Sequence, residues 1–195
     1  SEYTPNDCYM YGIMLGDGHV TINGNEGGVT FEHKKEHLFK FVKEYLELNM
    51  IKYWITTTET GNQIRWSISS KFKFTRSQLY DDNKIKHFDT NMINLPLEKA
   101  KYIFKGLVET YGCIQNELTI ELTSEQVLES VKYILLRMGV LTSGVSNYKD
   151  ITTWVLLVPK VAQVCDLFDI QPAKFRNYFR YENNLYTRLK SVEKK

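Results

Sequence analysis

Hydrophobic and polar positions along this chain switch between a helical and a strand period, and the order of switching occurs twice. Thr4-Pro5 is an N-cap followed by proline at the first helical position, and Cys8–Leu15 is an apolar run suited to a buried helix. Gly16-Asp17-Gly18 ends it. His19–Asn23 and Val29–His33 alternate around the turn Gly24–Gly28, which predicts a hairpin. Over Glu36–Asn49 the apolar residues Leu38, Phe39, Val42, Tyr45, Leu46 and Leu48 form a helical stripe. A second hairpin is expected over Ile51–Glu59 and Gln63–Ser70, around Thr60-Gly61-Asn62. A helix over Phe72–Tyr80 and a polar loop over Asp81–Asn94 close this first part.

The order then starts again. Leu95-Pro96 leads into a helix over Leu97–Tyr111, ended by Gly112. Ile114–Thr123 carries strand material with a turn at Gln115-Asn116, and Glu125–Met138 is an amphipathic helix ended by Gly139. Ser146–Lys149 and Ile151–Val158 suit a hairpin, Val161–Phe168 a helix, and a basic, Tyr-rich tail follows from Asn177. The helix-ending glycines Gly18 and Gly112, and the strand tryptophans Trp66 and Trp154, occupy equivalent places. This is an internal duplication. Each half reads α-β-β-α-β-β-α, so the fold class is α+β. The expected organisation is a first repeat over 1–94, a second over 95–176 and the tail over 177–195, the repeats joined in one pseudo-symmetric body.

Composition narrows the function. Hydrophobic residues make up 43% of the 195-residue chain and aromatics 13%, enough for a packed core. No run of about 18 apolar residues exists to span a membrane. The first residues lack the basic and apolar blocks of a secretory signal, and Cys8, Cys113 and Cys165 are too scattered for a disulfide framework or a zinc site. An intracellular location, cytoplasmic or nuclear, is expected. The formal net charge is only +2, so bulk charge does not mark a nucleic-acid module and any such role rests on where the charges point.

The two leading helices carry the candidate chemistry. Met10-Tyr-Gly-Ile-Met-Leu-Gly-Asp-Gly18 aligns with Phe104-Lys-Gly-Leu-Val-Glu-Thr-Tyr-Gly112. Each has glycine at the third position, Gly12 and Gly106, where a helix interior loses about 1 kcal/mol relative to alanine. A loss shared at the same position predicts two helices packed backbone to backbone. An acid at the eighth position then lies beside its twin, where it can hold a divalent metal through oxygen. Two such metals would clamp an in-line phosphodiester displacement.

These nonamers resemble the motif of the LAGLIDADG homing endonucleases, and the two repeats cover nearly the whole chain, as in single-chain members. The resemblance implies a duplicated αββαββα fold whose antiparallel sheets form a saddle over the major groove. It also implies Mg²⁺-dependent cleavage of both strands at a long duplex target, with Asp17 as metal-binding catalytic acid, in a monomer. Leu15-Gly-Asp-Gly18 is most similar to intein-borne members, and the tail from Tyr181 to Glu193 resembles a return into an intein splicing domain. A splicing domain in cis is therefore an expected partner. The chain shows neither the nucleophilic N-terminal block nor the C-terminal His-Asn of splicing, so no splicing by this chain is expected.

The second motif departs from the pattern. Tyr111 stands at the position of the second acid, and a phenol with an ordinary pKa near 10 is a poor Mg²⁺ ligand at neutral pH. Glu109 is two residues earlier, roughly 200° around the helix, and suits a structural role. The expectation is nicking at best, or no cleavage. The competing readings are a non-cleaving DNA- or RNA-binding (maturase-like) module, and a decayed insert with only a structural role.

Strand alternation divides the sheet residues. In the first repeat the core face takes Val20, Ile22, Val29, Phe31, Ile64, Trp66 and Ile68. The opposite face takes His19, Thr21, Asn23, Thr30, Glu32, Lys34, Gln63, Arg65, Ser67 and Ser69, side chains able to read base edges and phosphates. Lys71 and Lys73 could add phosphate contacts. In the second repeat Leu118, Ile120, Leu122, Trp154 and Leu156 face the core. The outer set there includes Glu117, Glu121, Val155 and Leu157, a poor surface for DNA. The basic residues of that half sit instead in the tail, at Lys174, Arg176, Arg180, Arg188 and Lys190.

Overall fold

A computed structural model describes residues 2–115, 117–147 and 152–173, and the backbone alone of 178–181 and 184–187. Helix α1, Pro5–Leu15, starts as its sequence predicts: the Thr4 hydroxyl accepts from the Asp7 amide, and the Asp7 carboxylate accepts from the Thr4 amide. Its residues Cys8, Met10, Tyr11, Ile13 and Met14 are all fully buried, as befits a helix that is apolar on every side. Strands β1 (His19–Val20) and β2 (Glu26–Glu32) follow, then a 3-10 turn at His33–Lys35 and helix α2, Glu36–Leu48. Strands β3 (Tyr53–Thr57) and β4 (Gly61–Ser67) complete an antiparallel sheet of order β1-β2-β4-β3.

After a 3-10 turn at Arg76–Gln78 and the short helix α3, Thr90–Ile93, the second repeat begins with α4, Leu97–Tyr111. It continues through β5 (Gly112–Ile114), β6 (Leu118–Leu122), α5 (Glu125–Arg137), β7 (Trp154–Val158) and α6 (Ala162–Phe168). Its sheet has the order β5-β6-β7, and Ser146 adds an isolated bridge to Val155. The tail contributes an antiparallel pair, β8 (Tyr178–Tyr181) and β9 (Asn184–Thr187). Residues 174, 176, 188 and 190 and the Arg180 side chain lie outside the described residues, as does the second half of the expected strand at 146–149.

Helices α1 and α4 pack side by side in the centre, and one hydrophobic core runs through both repeats. The shared glycines are the reason for the close approach. A Cβ on Gly12 would lie 2.1 Å from the Ile103 carbonyl oxygen, and one on Gly106 would lie 2.3 Å from that of Tyr9. No side chain larger than hydrogen fits at either point.

Sheet registers follow the alternation. Val20, Gly27, Trp66 and Tyr53 form one row toward the core, and Val29 and Ile64 lead the next, whose edge residue Ile55 is exposed. In the second sheet Ile120 pairs with Leu156, Leu122 with Trp154 and Leu118 with Val158, which joins the core set read from the sequence. Two expectations need correction. The first hairpin turns at 21–25 rather than 24–28, because β2 begins at Glu26 and the Trp66 indole occupies the space beside Gly27. Ile22 therefore stands in the turn, 76% exposed, and not in the core. Phe72–Tyr80 also forms no α-helix. Phe72 and Phe74 instead point into the core and meet edge to face, which keeps the segment irregular up to the 3-10 turn.

Candidate nucleic-acid interface and helix-end centre

The outer face of the first sheet is built in rows. His19, Gly28, Arg65 and Trp54 are neighbours across the four strands, and Thr30, Gln63 and Thr56 form the adjacent row. Glu26 pairs with Ser67 at the end of the sheet. Helix α2 packs against β2 and β4 on the core side, while Thr30 and Thr56 are exposed on the other. Arg65 donates its Nε to Glu26 Oε1 at 2.6 Å and binds the same oxygen through Nη2. Its guanidinium also lies 5.7 Å from the centre of the Trp54 ring. Burial, aided by the Arg65 charge, holds the His19 imidazole below its usual range, which favours its neutral form.

Sequence pattern missed Trp54 and Thr56 on this face, because β3 lacks the apolar-polar alternation that sorted the other strands. It also placed several residues there that the structure puts elsewhere. Thr21 and Asn23 build the 21–25 turn: the Thr21 hydroxyl donates to Asn23 Oδ1 at 2.7 Å and accepts the Glu26 amide. Lys34 lies in the 3-10 turn, paired with Glu32 at 2.7 Å. Ser69 and Lys71 fall beyond the end of β4, and the Lys71 ammonium reaches the Met50 carbonyl. Lys73 is bound to Asp7 at 2.8 Å, at the start of α1 and so a helix length from Asp17. His19, Thr30, Gln63, Arg65 and Ser67 remain together on the outer face.

The ends of α1 and α4 form the second candidate centre. They reach the same level, for a Cβ on Gly16 would strike the Thr110 hydroxyl. Asp17 follows the α1 cap, its side chain 21% exposed. Burial raises its pKa above the ordinary carboxylate value, against the opposing pull of Lys35 and Lys86. Tyr111 ends α4 with half of its surface open and lines a cleft of about 860 Å³ together with Leu15, Gly16, Lys86, Glu121 and Trp154. Glu109 is turned away, accepting a hydrogen bond from the Tyr9 hydroxyl on α1.

Two lysines hold this centre together, and the sequence reading assigned a role to neither. The Lys35 ammonium lies 3.4 Å from Asp17 Oδ2 and also donates to the Thr110 carbonyl, so it ties repeat one to the end of α4. The Lys86 ammonium donates toward the carbonyls of Met14 at 2.7 Å, Leu15 at 3.0 Å, Gly16 at 2.6 Å and Gly18 at 2.6 Å. It caps the unpaired carbonyls and negative dipole end of α1. Its burial pushes its pKa down to about 8, although Asp17 pulls the other way. Lys86 left no trace in the periodicity, since it comes from a polar loop about 70 residues from the carbonyls it meets.

Solved structures of other proteins share this architecture. A mesophilic variant of the homing endonuclease I-DmoI superposes with a TM-score of 0.61 at 17% identity, covering 84% of this chain and 86% of that one. The chain has the LAGLIDADG endonuclease fold. I-DmoI in complex with DNA and Mn superposes with a TM-score of 0.59 at 19% identity, over 85% and 93% of the two chains. The N-terminal LAGLIDADG domain of DUF199/WhiA does so with a TM-score of 0.56 at 10% identity, over 87% and 84%. No family model and no curated protein match the sequence.

The LAGLIDADG fold makes a divalent metal the expected occupant of the helix ends, so the donors there decide whether one fits. Asp17 is the single carboxylate at the two motif positions, and Lys35 sits on it. The α1 carbonyls converge on Lys86, and Thr110 O is taken by Lys35. No cluster of three or more His, Cys, Asp or Glu side chains suited to a metal exists among the described residues. This donor set does not fit a pair of divalent ions.

Proposed function

We propose that this chain is a duplex-DNA-binding protein on the LAGLIDADG endonuclease scaffold that no longer cuts both strands. The observation that carries the reading is the pair of adjacent outer-face rows that hold Arg65 and Gln63 with Thr30 and Thr56 on a four-stranded sheet, beside a helix-end centre with one acid and one phenol. I-DmoI, of the same fold, has been crystallised with its target DNA, which supports the choice of ligand.

A twisted two-stranded or wider ribbon fits the major groove, where base pairs are distinguishable by their donors and acceptors. Gln63 offers the amide that pairs with adenine and Arg65 the fork that pairs with guanine. Glu26 fixes the Arg65 fork by two of its nitrogens, and Nη1 carries no further bond among the described residues. The second sheet contributes less. Val155 opposes Glu121 and is buried at 2% exposure, against the outer position expected for it, while Leu157 opposes Thr119; an apolar and an acidic side chain, Leu157 and Glu121, attract neither bases nor phosphates. Target reading is therefore one-sided, weighted to the half-site under the first repeat.

The resemblance of the tail to an intein junction supports an origin as an endonuclease domain set within a splicing protein inside the cell. A second reading, nicking of one strand, is favoured by the retention of Asp17 alone. Supercoiled plasmid carrying the selected target separates the two. The proposal expects no linear product and no nicks in Mg²⁺. Nicks that disappear in Asp17→Asn would support the second reading, and linear product would overturn both.

A further inference from the structure

We propose that the ammonium groups of Lys35 and Lys86 take the place of divalent cations at the junction of α1 and α4, closing Asp17 to metal. The inference concerns the protein alone and rests on the DNA-binding reading only for the choice of centre. Four carbonyl oxygens within 2.6–3.0 Å of one point make a coordination shell for a cation, and the Lys86 Nζ fills it. An ammonium has three N–H groups, so the four oxygens outnumber its donors and leave no surplus positive hydrogen for a further ligand. The second position is where the acid of repeat one meets the end of the repeat-two helix. Lys35 bridges it, from Asp17 Oδ2 to the Thr110 carbonyl.

Charge counting points the same way. Tyr111 contributes a phenol in place of a carboxylate, and Glu109 is bound to Tyr9 outside the junction. Asp17 is therefore the one carboxylate at the motif positions, and it faces both ammonium groups. A divalent ion at Asp17 would have to displace Lys35 and would then stand beside Lys86, a like charge held by burial in a poorly screened setting. A tethered cation also competes at an effective concentration set by the chain, in the millimolar range or above, rather than by the solution. With both acids present the balance would favour metal; with Tyr111 it favours lysine.

Electron paramagnetic resonance of free Mn²⁺ measures binding to the protein without DNA or turnover. Wild-type protein is expected to show no saturable site up to about 1 mM Mn²⁺. Lys35→Met keeps the length and packing of the side chain but frees Asp17, and should gain one site at least about tenfold tighter than any wild-type binding. Lys35→Met combined with Asp17→Asn should lose that site again. Lys86 is not the variant of choice, because unpairing the buried end of α1 threatens folding; thermal melts confirm that the Lys35 variants are folded. A saturable wild-type site that Asp17→Asn removes would overturn the proposal. So would a folded Lys35→Met that gains no site. A chain that excludes Mn²⁺ but binds no duplex leaves this proposal standing and defeats the DNA-binding reading instead.

Discussion

The Lys35 ammonium faces the Asp17 carboxylate at 3.4 Å while it also binds the Thr110 carbonyl, so one side chain joins the ends of both motif helices. Asp17 has a raised pKa from burial, and a carboxyl raised on folding binds more protons in the native state. Stability from this group therefore falls as pH rises from the ordinary aspartate range through the raised value. Removing the opposing cation in Lys35→Met deepens that fall. Denaturant unfolding should show the variant about 1 kcal/mol less stable than wild type at pH 7, with a smaller difference at pH 4.5. Equal differences at both values would contradict the pairing.

Backbone contact between α1 and α4 makes a second prediction. Gly12→Ala and Gly106→Ala each force a methyl group against a carbonyl oxygen at 2.1–2.3 Å, and should cost about 1–3 kcal/mol or more apiece. In a chain of this length that lowers Tm by several degrees, at about 2–4 °C per kcal/mol. Gly144→Ala, where nothing lies within 4 Å, should move stability by less than about 0.5 kcal/mol.

The motif helices were legible because glycine, proline and apolar runs are local signals. Thr4, Pro5, Gly12 and Gly106 marked a start and a contact that the structure contains. The strand registers were legible for the same reason: Val29, Phe31, Ile64 and Trp66 sort by alternation alone. What escaped depends on partners distant in sequence. Phe72 and Phe74 stay out of a helix because a remote core accepts both rings. Lys86 acquires its role only when a polar loop folds under α1. Ile22 was misplaced because one turn begins earlier than its glycines suggested.

At the opposite end of α1, Asp7 is 2% exposed and bound by Lys73, Tyr45 and Thr4. Burial alone would raise its pKa, but these bonds, Lys73 foremost, hold it below the ordinary value. A carboxyl lowered on folding stabilises above the ordinary aspartate range and loses that contribution as pH falls through the lowered value. Lys73→Met leaves the charge short of a partner and should cost about 1–3 kcal/mol at pH 7. The loss should shrink toward pH 3. DNA affinity, measured well below the melting temperature, should stay unchanged, since Lys73 lies away from the sheet face. A weakened affinity would place Lys73 on the DNA after all.

Direct readout predicts a division between positions. Gln63→Ala and Arg65→Ala should each relax preference at one base pair by about 1–3 kcal/mol and leave the others intact. Competition binding against a panel of single-base variants of the target reads this position by position. A uniform loss at all positions would mean that these side chains contact phosphate only.

One-sided DNA reading is tested by selection of binding sites by the intact chain from random duplex DNA at about 150 mM salt, where non-specific phosphate attraction is weakened. Selection is run in parallel with EDTA and with Ca²⁺. The same site should be enriched in both, with strong preferences confined to the half under the first repeat. Enrichment only with Ca²⁺, or no enrichment in either, would contradict it.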